Sequence, residues 1–178
     1  IRTLDDLNDT NLCSFGTISS SDAIPDYDNA DDGVSVCGYS LAIGTNAQNG
    51  FQTQIIADGP LDNTQSSISD ITNGGTFAAG VESYGLANIT SATKGRNVST
   101  GLYSETILRN GNFNLSPNTA TSIPTSLTNF MSYTDGVQYQ AGTDTTDVTQ
   151  VMHGLVIGSG TPAGYYDQVI TYATTANF

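Results

Sequence analysis

The sequence predicts an all-β protein, an antiparallel β-sandwich. Three observations carry that expectation. No stretch sustains a 3.6-residue apolar period, the mark of an amphipathic helix. Short runs rich in Val, Ile, Thr and Tyr alternate apolar with polar residues, as half-buried strands do. Gly, Asn and Pro turns separate these runs, and no clear internal repeat or domain-sized shift in composition interrupts them.

Residues 1–12 form a polar lead-in with apolar points at Ile1, Leu4, Leu7 and Leu12. Spacings near three suit a helical turn or an extended arm rather than a regular strand. Residues 13–178 are expected to be the single β-domain. Within it, 13–18 alternates as a short strand, and 19–33 is an acidic loop. Residues 34–43 place Cys37, Tyr39, Leu41 and Ile43 on one face, with Val34 and Val36 out of phase and a bulge expected near Gly38. Residues 45–50 end in Asn49-Gly50, a hairpin signal, and 51–55 reads as the return strand.

Residues 61–80 are loop-rich around Asn73-Gly74-Gly75, and 81–90 is a further strand. Weak strands are expected in 91–118. Residues 119–133 carry Ile123, Leu127, Phe130 and Tyr133, and 136–141 reads as a strand. Residues 147–157 put Val151, His153 and Leu155 on one face. After the Gly158-Ser159-Gly160 turn, the closing strand shows Ile170, Tyr172, Ala176 and Phe178 on one face and Thr171, Ala173 and Thr175 on the other.

Composition narrows the function classes. The 178 residues suit one sandwich, and 37% hydrophobic residues suffice for its core. Only 12% are charged, well under the usual quarter, and Thr, Ser, Asn, Gln and Gly carry the polarity. That composition suits secreted and cell-surface β proteins. Seventeen acidic residues face four basic ones, Arg2, Lys94, Arg96 and Arg109, for a net charge of −13. A phosphate backbone would be repelled, so no nucleic-acid partner is expected. Anionic lipid is disfavoured likewise, and no apolar run is long enough to insert in a membrane. Opening on Ile1, the chain is expected to be a processed, mature form.

Cys13 and Cys37 are the two cysteines, and an even count in such a chain favours one disulfide. A zinc site is poorly supported, since His153 is the sole histidine and no CxxC pair exists. Asp26, Asp28, Asp31 and Asp32 concentrate hard oxygen ligands before Gly33, so calcium is a candidate ligand. The loop does not fit an EF-hand, and a solvated acidic loop is the competing reading. His153 has no GxSxG nucleophile in the chain to serve, so a core-edge or surface histidine is expected. Glu occurs only at Glu82 and Glu105, and Trp is absent, which weakens a glycosidase or lectin. Asn8, Asn88, Asn97 and Asn114 each open an N-glycosylation pattern.

Residues 154–178 bear Gly-Leu-Val-Ile and then Thr161-Pro162-Ala163-Gly164-Tyr165-Tyr166-Asp167-Gln168-Val169-Ile170-Thr171-Tyr172. This resembles the closing strands of spore-coat-U-like and archaic chaperone–usher pilins, and of related bacterial surface proteins. The segments 45–55 and 82–86 are similar to parts of those surface proteins. The resemblance covers about a third of the chain. It implies an immunoglobulin-like sandwich that polymerises by donor-strand complementation, a strand of one subunit completing the sheet of the next. It also implies pairing of an early cysteine with a later one, as Cys13 with Cys37, and a donor at the N-terminus, with Ile1, Leu4, Leu7 and Leu12 as plugs. The expected function is therefore a structural, non-enzymatic subunit of an extracellular cell-surface filament, with identical subunits as partners. The alternative is a monomeric surface or adhesive module, calcium-stabilised, with a host or surface ligand. A secreted hydrolase ranks third.

Overall fold

A computed structural model describes residues 12–22, 24–25, 36–41, 43, 45, 47–90, 95–97, 103–104, 108–109, 113, 119–133, 137–138 and 149–178. In chain order its strands are β1 (Val36–Leu41), β2 (Phe51–Ala57), β3 (Ser83–Thr90), β4 (Gly95–Asn97), β5 (Tyr103–Ser104) and β6 (Leu108–Arg109). They continue with β7 (Ala120–Thr121), β8 (Thr128–Tyr133), β9 (Val137–Gln138), β10 (Thr149–Val156) and β11 (Ile170–Ala176). One four-stranded sheet has the order β1-β10-β3-β7 and the other β11-β2-β8-β6, with a small β5-β4-β9 sheet beside them. Every pairing between these strands is antiparallel, and an isolated bridge of Asp70 to Tyr84 is parallel. The expected all-β sandwich is the architecture observed.

Alternation in the sequence explains which faces turn inward. In β2, Phe51, Thr53, Ile55 and Ala57 are buried while the residues between them are half-buried. In β10, Val151, His153 and Leu155 turn to the opposite sheet. The interior so formed joins Phe51, Ile55, Phe130 and Met131 of one sheet to Tyr84, Leu86, Val151 and Leu155 of the other. Phe130 and Met131 are neighbours in sequence yet both buried. The register between β2 and β8 slips at this point, leaving Phe130 as an extra residue and turning two consecutive side chains inward.

The β1-β10-β3-β7 sheet is covered on its second face as well. Ile71, Phe77, Ala120 and Val156 make a smaller cluster there, joined by Val36 and Met152. The Asn73-Gly74 turn expected from the sequence brings Ile71 onto this face, with Gly74 at φ +74°. The close approach requires glycine at position 85. A Cβ there would lie 2.5 Å from Cγ2 of Ile71 and 2.6 Å from the carbonyl oxygen of Thr121.

Several local expectations are corrected. The Asn49-Gly50 turn forms, with Gly50 N–H donating to the Ala47 carbonyl at 3.1 Å, but it does not close a hairpin. Its two flanking strands enter different sheets: β1 pairs with β10, whereas β2 pairs with β11 and β8. Turn chemistry fixes a local reversal, and the inward faces of both strands are satisfied by crossing the core. Residues 13–16 alternate in burial, but Gly16 and Thr17 are both exposed, and 13–18 makes no strand pairing. The β1–β10 register is continuous through Gly38, and the bulge lies in β3, where Asn88 is the extra residue between Ile89 and Ala87. Phe178 is 89% exposed, beyond the last strand residue Ala176.

Replacing Gly85 by Ala is expected to lower unfolding stability by about 2 kcal/mol through overpacking. Gly160→Ala meets no atom within 4 Å and should leave stability nearly unchanged. Chemical denaturation of both variants measures the difference.

Candidate functional site

The most organised polar chemistry in the described residues lies inside the sandwich, around His153. Alternation along β10 aims this imidazole into the core, where it is 1% exposed. A buried imidazole requires hydrogen-bond partners for both ring nitrogens. Tyr39 on β1 lies 3.0 Å from Nε2 and Tyr84 on β3 lies 3.2 Å from Nδ1. The Tyr39 hydroxyl is also 2.5 Å from that of Tyr172 on β11. Tyr84 donates to Oε1 of Gln168 at 2.9 Å, and Gln168 Nε2 donates to the Gly59 carbonyl at 2.5 Å.

These contacts determine where the protons sit. Because Tyr84 gives its proton to Gln168, its oxygen must accept from Nδ1–H of His153. Nε2 is then the acceptor and receives the Tyr39 proton, which leaves the Tyr39 oxygen to accept from Tyr172. The chain therefore runs Tyr172, Tyr39, His153, Tyr84, Gln168, Gly59, each hydroxyl, the Nδ1–H and one Gln168 N–H donating once. It crosses from the β11 side of the sandwich to the opposite sheet and back.

Burial sets the protonation states. It holds the His153 imidazole down to about pKa 3, so the ring is neutral at pH 7. Burial pushes the Tyr39 phenol up to about 12, opposed by its bond to Tyr172. Tyr84 is raised by burial and by the neighbouring Tyr39 and Asp70. Tyr172 is raised well above its ordinary value, again chiefly by burial. The rings also stack: Tyr84 lies nearly parallel to His153 at 6.0 Å, and Tyr39 is tilted against it at 5.4 Å. With both ring nitrogens hydrogen-bonded to tyrosines of the flanking strands, the neutral imidazole braces β10 against β1 and β3.

The other expected site residues fall as follows. Cys13 and Cys37 are joined in a disulfide, with Cα atoms 5.5 Å apart. Closing a loop with a sequence separation of 24 stabilises by about 3 kcal/mol in the chain-entropy treatment. Leu12 is 66% exposed, while Ile1, Leu4 and Leu7 lie outside the described residues. The acidic cluster Asp26, Asp28, Asp31 and Asp32 also lies outside them. Among the described residues no group of three His, Cys, Asp or Glu could hold a metal ion. Asn88 is in β3 and Asn97 in β4, whereas Asn8, Asn114 and Glu105 lie outside the described residues. Glu82 accepts from the Ser69 N–H at 3.1 Å and from the Thr161 hydroxyl at 2.6 Å, tying two loops together.

The sequence leaves no local trace of the buried tyrosine–histidine chain. His153 lies in the core rather than at its edge or on the surface. Its alternation with Val151 and Leu155 held that information; its tyrosine partners are 69 and 114 residues distant in sequence. Among the described residues no helix is long and apolar enough to cross a membrane. Comparison with protein-family models, curated proteins and solved structures finds no match to this chain.

His153 makes stability depend on pH with a definite sign. Its folded pKa of about 3 lies below the ordinary 6.5 of an unfolded chain. Between these values the unfolded chain takes up a proton that the folded chain refuses. The contribution is complete above pH 6.5 and falls by about 1.4 kcal/mol per pH unit below it. Carboxylates also titrate in acid, so the measurement compares unfolding of the native chain with His153→Gln from pH 7.5 to 5. The native chain should lose stability faster; parallel curves would contradict the buried neutral ring.

Proposed function

We propose that this chain is a pilin-like structural subunit of an extracellular cell-surface filament, in which a strand from an identical neighbour completes a sheet. The observation that supports this reading is a long, undefended sheet edge. β11 is the outer strand of its sheet, and among the described residues only β2 pairs with it. Asp58 N–H donates to the Val169 carbonyl and Asn177 N–H to that of Gly50, which sets the phase of the ladder. By alternation Thr171, Ala173 and Thr175 bond to β2, and the N–H and C=O groups of Ile170, Tyr172, Thr174 and Ala176 face outward.

Exposed edges invite pairing, and sheet proteins usually block them with charge, proline or bulges. The sequence Ile-Thr-Tyr-Ala-Thr-Thr-Ala contains no charge and no proline, in a chain of net charge −13. β1, the long edge strand of the other sheet, lies on the same side, since Tyr39 meets Tyr172 there. Two edges on one side suit strand addition by a partner. The exposed Leu12 leads back to Ile1, Leu4 and Leu7, the proposed plugs of the donated arm. The disulfide is compatible with an extracellular location.

Negative-stain microscopy of the purified chain tests this reading. The native chain should form filaments, and deletion of residues 1–12 should give soluble monomers. Ala176→Pro removes one outward N–H without touching the β2 ladder and should also suppress filaments. Monomeric native protein would favour the adhesive-module alternative, and filaments from the deletion variant would remove the arm as donor.

A further inference from the structure

Residues 12–18 are attached to the sandwich in an unusual way. Phe15 and Ile18 are packed against the main core cluster. The Phe15 ring meets Tyr84 edge-on, with centroids 6.2 Å apart. Yet among the described residues no backbone hydrogen bond joins this segment to a strand. Its polar bonds are local, from the Gly16 N–H to Ser14 and from the Ser19 N–H to Asp22. Its covalent tie is the Cys13–Cys37 disulfide.

The tie is placed at a particular point. Cys37 stands directly opposite His153 in the β1–β10 ladder. Residues opposite one another in an antiparallel pair project from the same face, with Cβ atoms about 5 Å apart. The disulfide therefore sits beside the imidazole, and Phe15 covers the second partner of that imidazole, Tyr84. The segment thus meets the tyrosine–histidine chain at Phe15, and its disulfide is anchored at the β1 position paired with His153.

We propose that residues 12–18 are a disulfide-latched strap that seals the Tyr39–His153–Tyr84 chain from water. Reduction of the latch by a dithiol, such as dithiothreitol or a thiol–disulfide oxidoreductase, releases the strap and opens that chain. In the step the cystine takes two electrons and two protons from the dithiol, giving two thiols, and the dithiol becomes a disulfide. With the S–S bond gone, the Phe15 and Ile18 contacts are what, among the described residues, opposes the conformational freedom of an unpaired segment. Water then reaches His153, and protonation becomes possible near the pH of an ordinary imidazole. The titratable groups facing His153 are the phenols of Tyr39 from β1 and Tyr84 from β3, with Tyr172 from β11 behind Tyr39 and, once the disulfide is reduced, the Cys37 thiol opposite it on β1. No described carboxylate bonds to the ring. Redox state at Cys13–Cys37 thus sets the pH at which the chain breaks. This inference is independent of the filament reading.

Because His153 is the sole histidine, one imidazole Cε1 proton signal reports the event. The test is its NMR titration from pH 8 to pH 5 in the oxidised protein, in the protein held in dithiothreitol, and in Phe15→Ala with the disulfide intact. The oxidised protein should show a flat signal. The reduced protein should stay folded by circular dichroism and titrate within about one unit of pH 6.5. Phe15→Ala should titrate at higher pH than the oxidised native chain. A flat signal in the folded reduced protein would overturn the proposal, since packing alone would then seal the site. Global unfolding on reduction would overturn it too, because the disulfide would then hold the fold and not a strap. An oxidised protein that already titrates near pH 6.5 would show that nothing is sealed.

Discussion

One buried polar chain, from Tyr172 through Tyr39, His153, Tyr84 and Gln168 to the Gly59 carbonyl, ties the two sheets of this sandwich together. Hydrophobic burial draws sheets face to face but does not specify their sliding or angle. A hydrogen-bond chain does, because each member has one geometry that satisfies it. Removing any one partner leaves a buried donor or acceptor unmet, at a cost of about 1–3 kcal/mol. The network thus constrains β1, β3, β10 and β11 at once, and its terminal bond reaches the loop after β2.

The strand connections make such a constraint necessary. The consecutive strands β1, β2 and β3 alternate between the sheets, as do β10 and β11. No tight hairpin sets register among these long strands. Register is instead set by which faces are apolar and by the bulges at Asn88 and Phe130. Partners far apart in sequence must find one another, which raises the entropy of loop closure before any pairing is rewarded. The disulfide offsets part of that cost near the N-terminus.

Much of this was legible in the sequence where a single strand carries the signal. The alternation in 51–55, in 147–157 and at Ile170 and Tyr172 named inward residues. The two cysteines named their bond. Pairing was not legible, because Asn49-Gly50 reports a reversal and not the sheet that each arm joins. Nor was the site. His153 gains its meaning from Tyr39 and Tyr84, and spatial neighbours drawn from three strands leave no local pattern. The exposure of Phe178 escaped alternation because the strand ends at Ala176, and periodicity carries no information past the last ladder bond.

The direction of the hydrogen-bond chain requires the proton of the neutral imidazole to sit on Nδ1. Ring nitrogen shifts of His153 at pH 7, read from a long-range proton–nitrogen correlation spectrum, test it in one experiment. The structure requires a protonated Nδ1 and an unprotonated Nε2. A proton on Nε2 would contradict this direction, since it would reverse the Tyr39 bond and leave Nδ1 to accept a proton that Tyr84 has already given to Gln168.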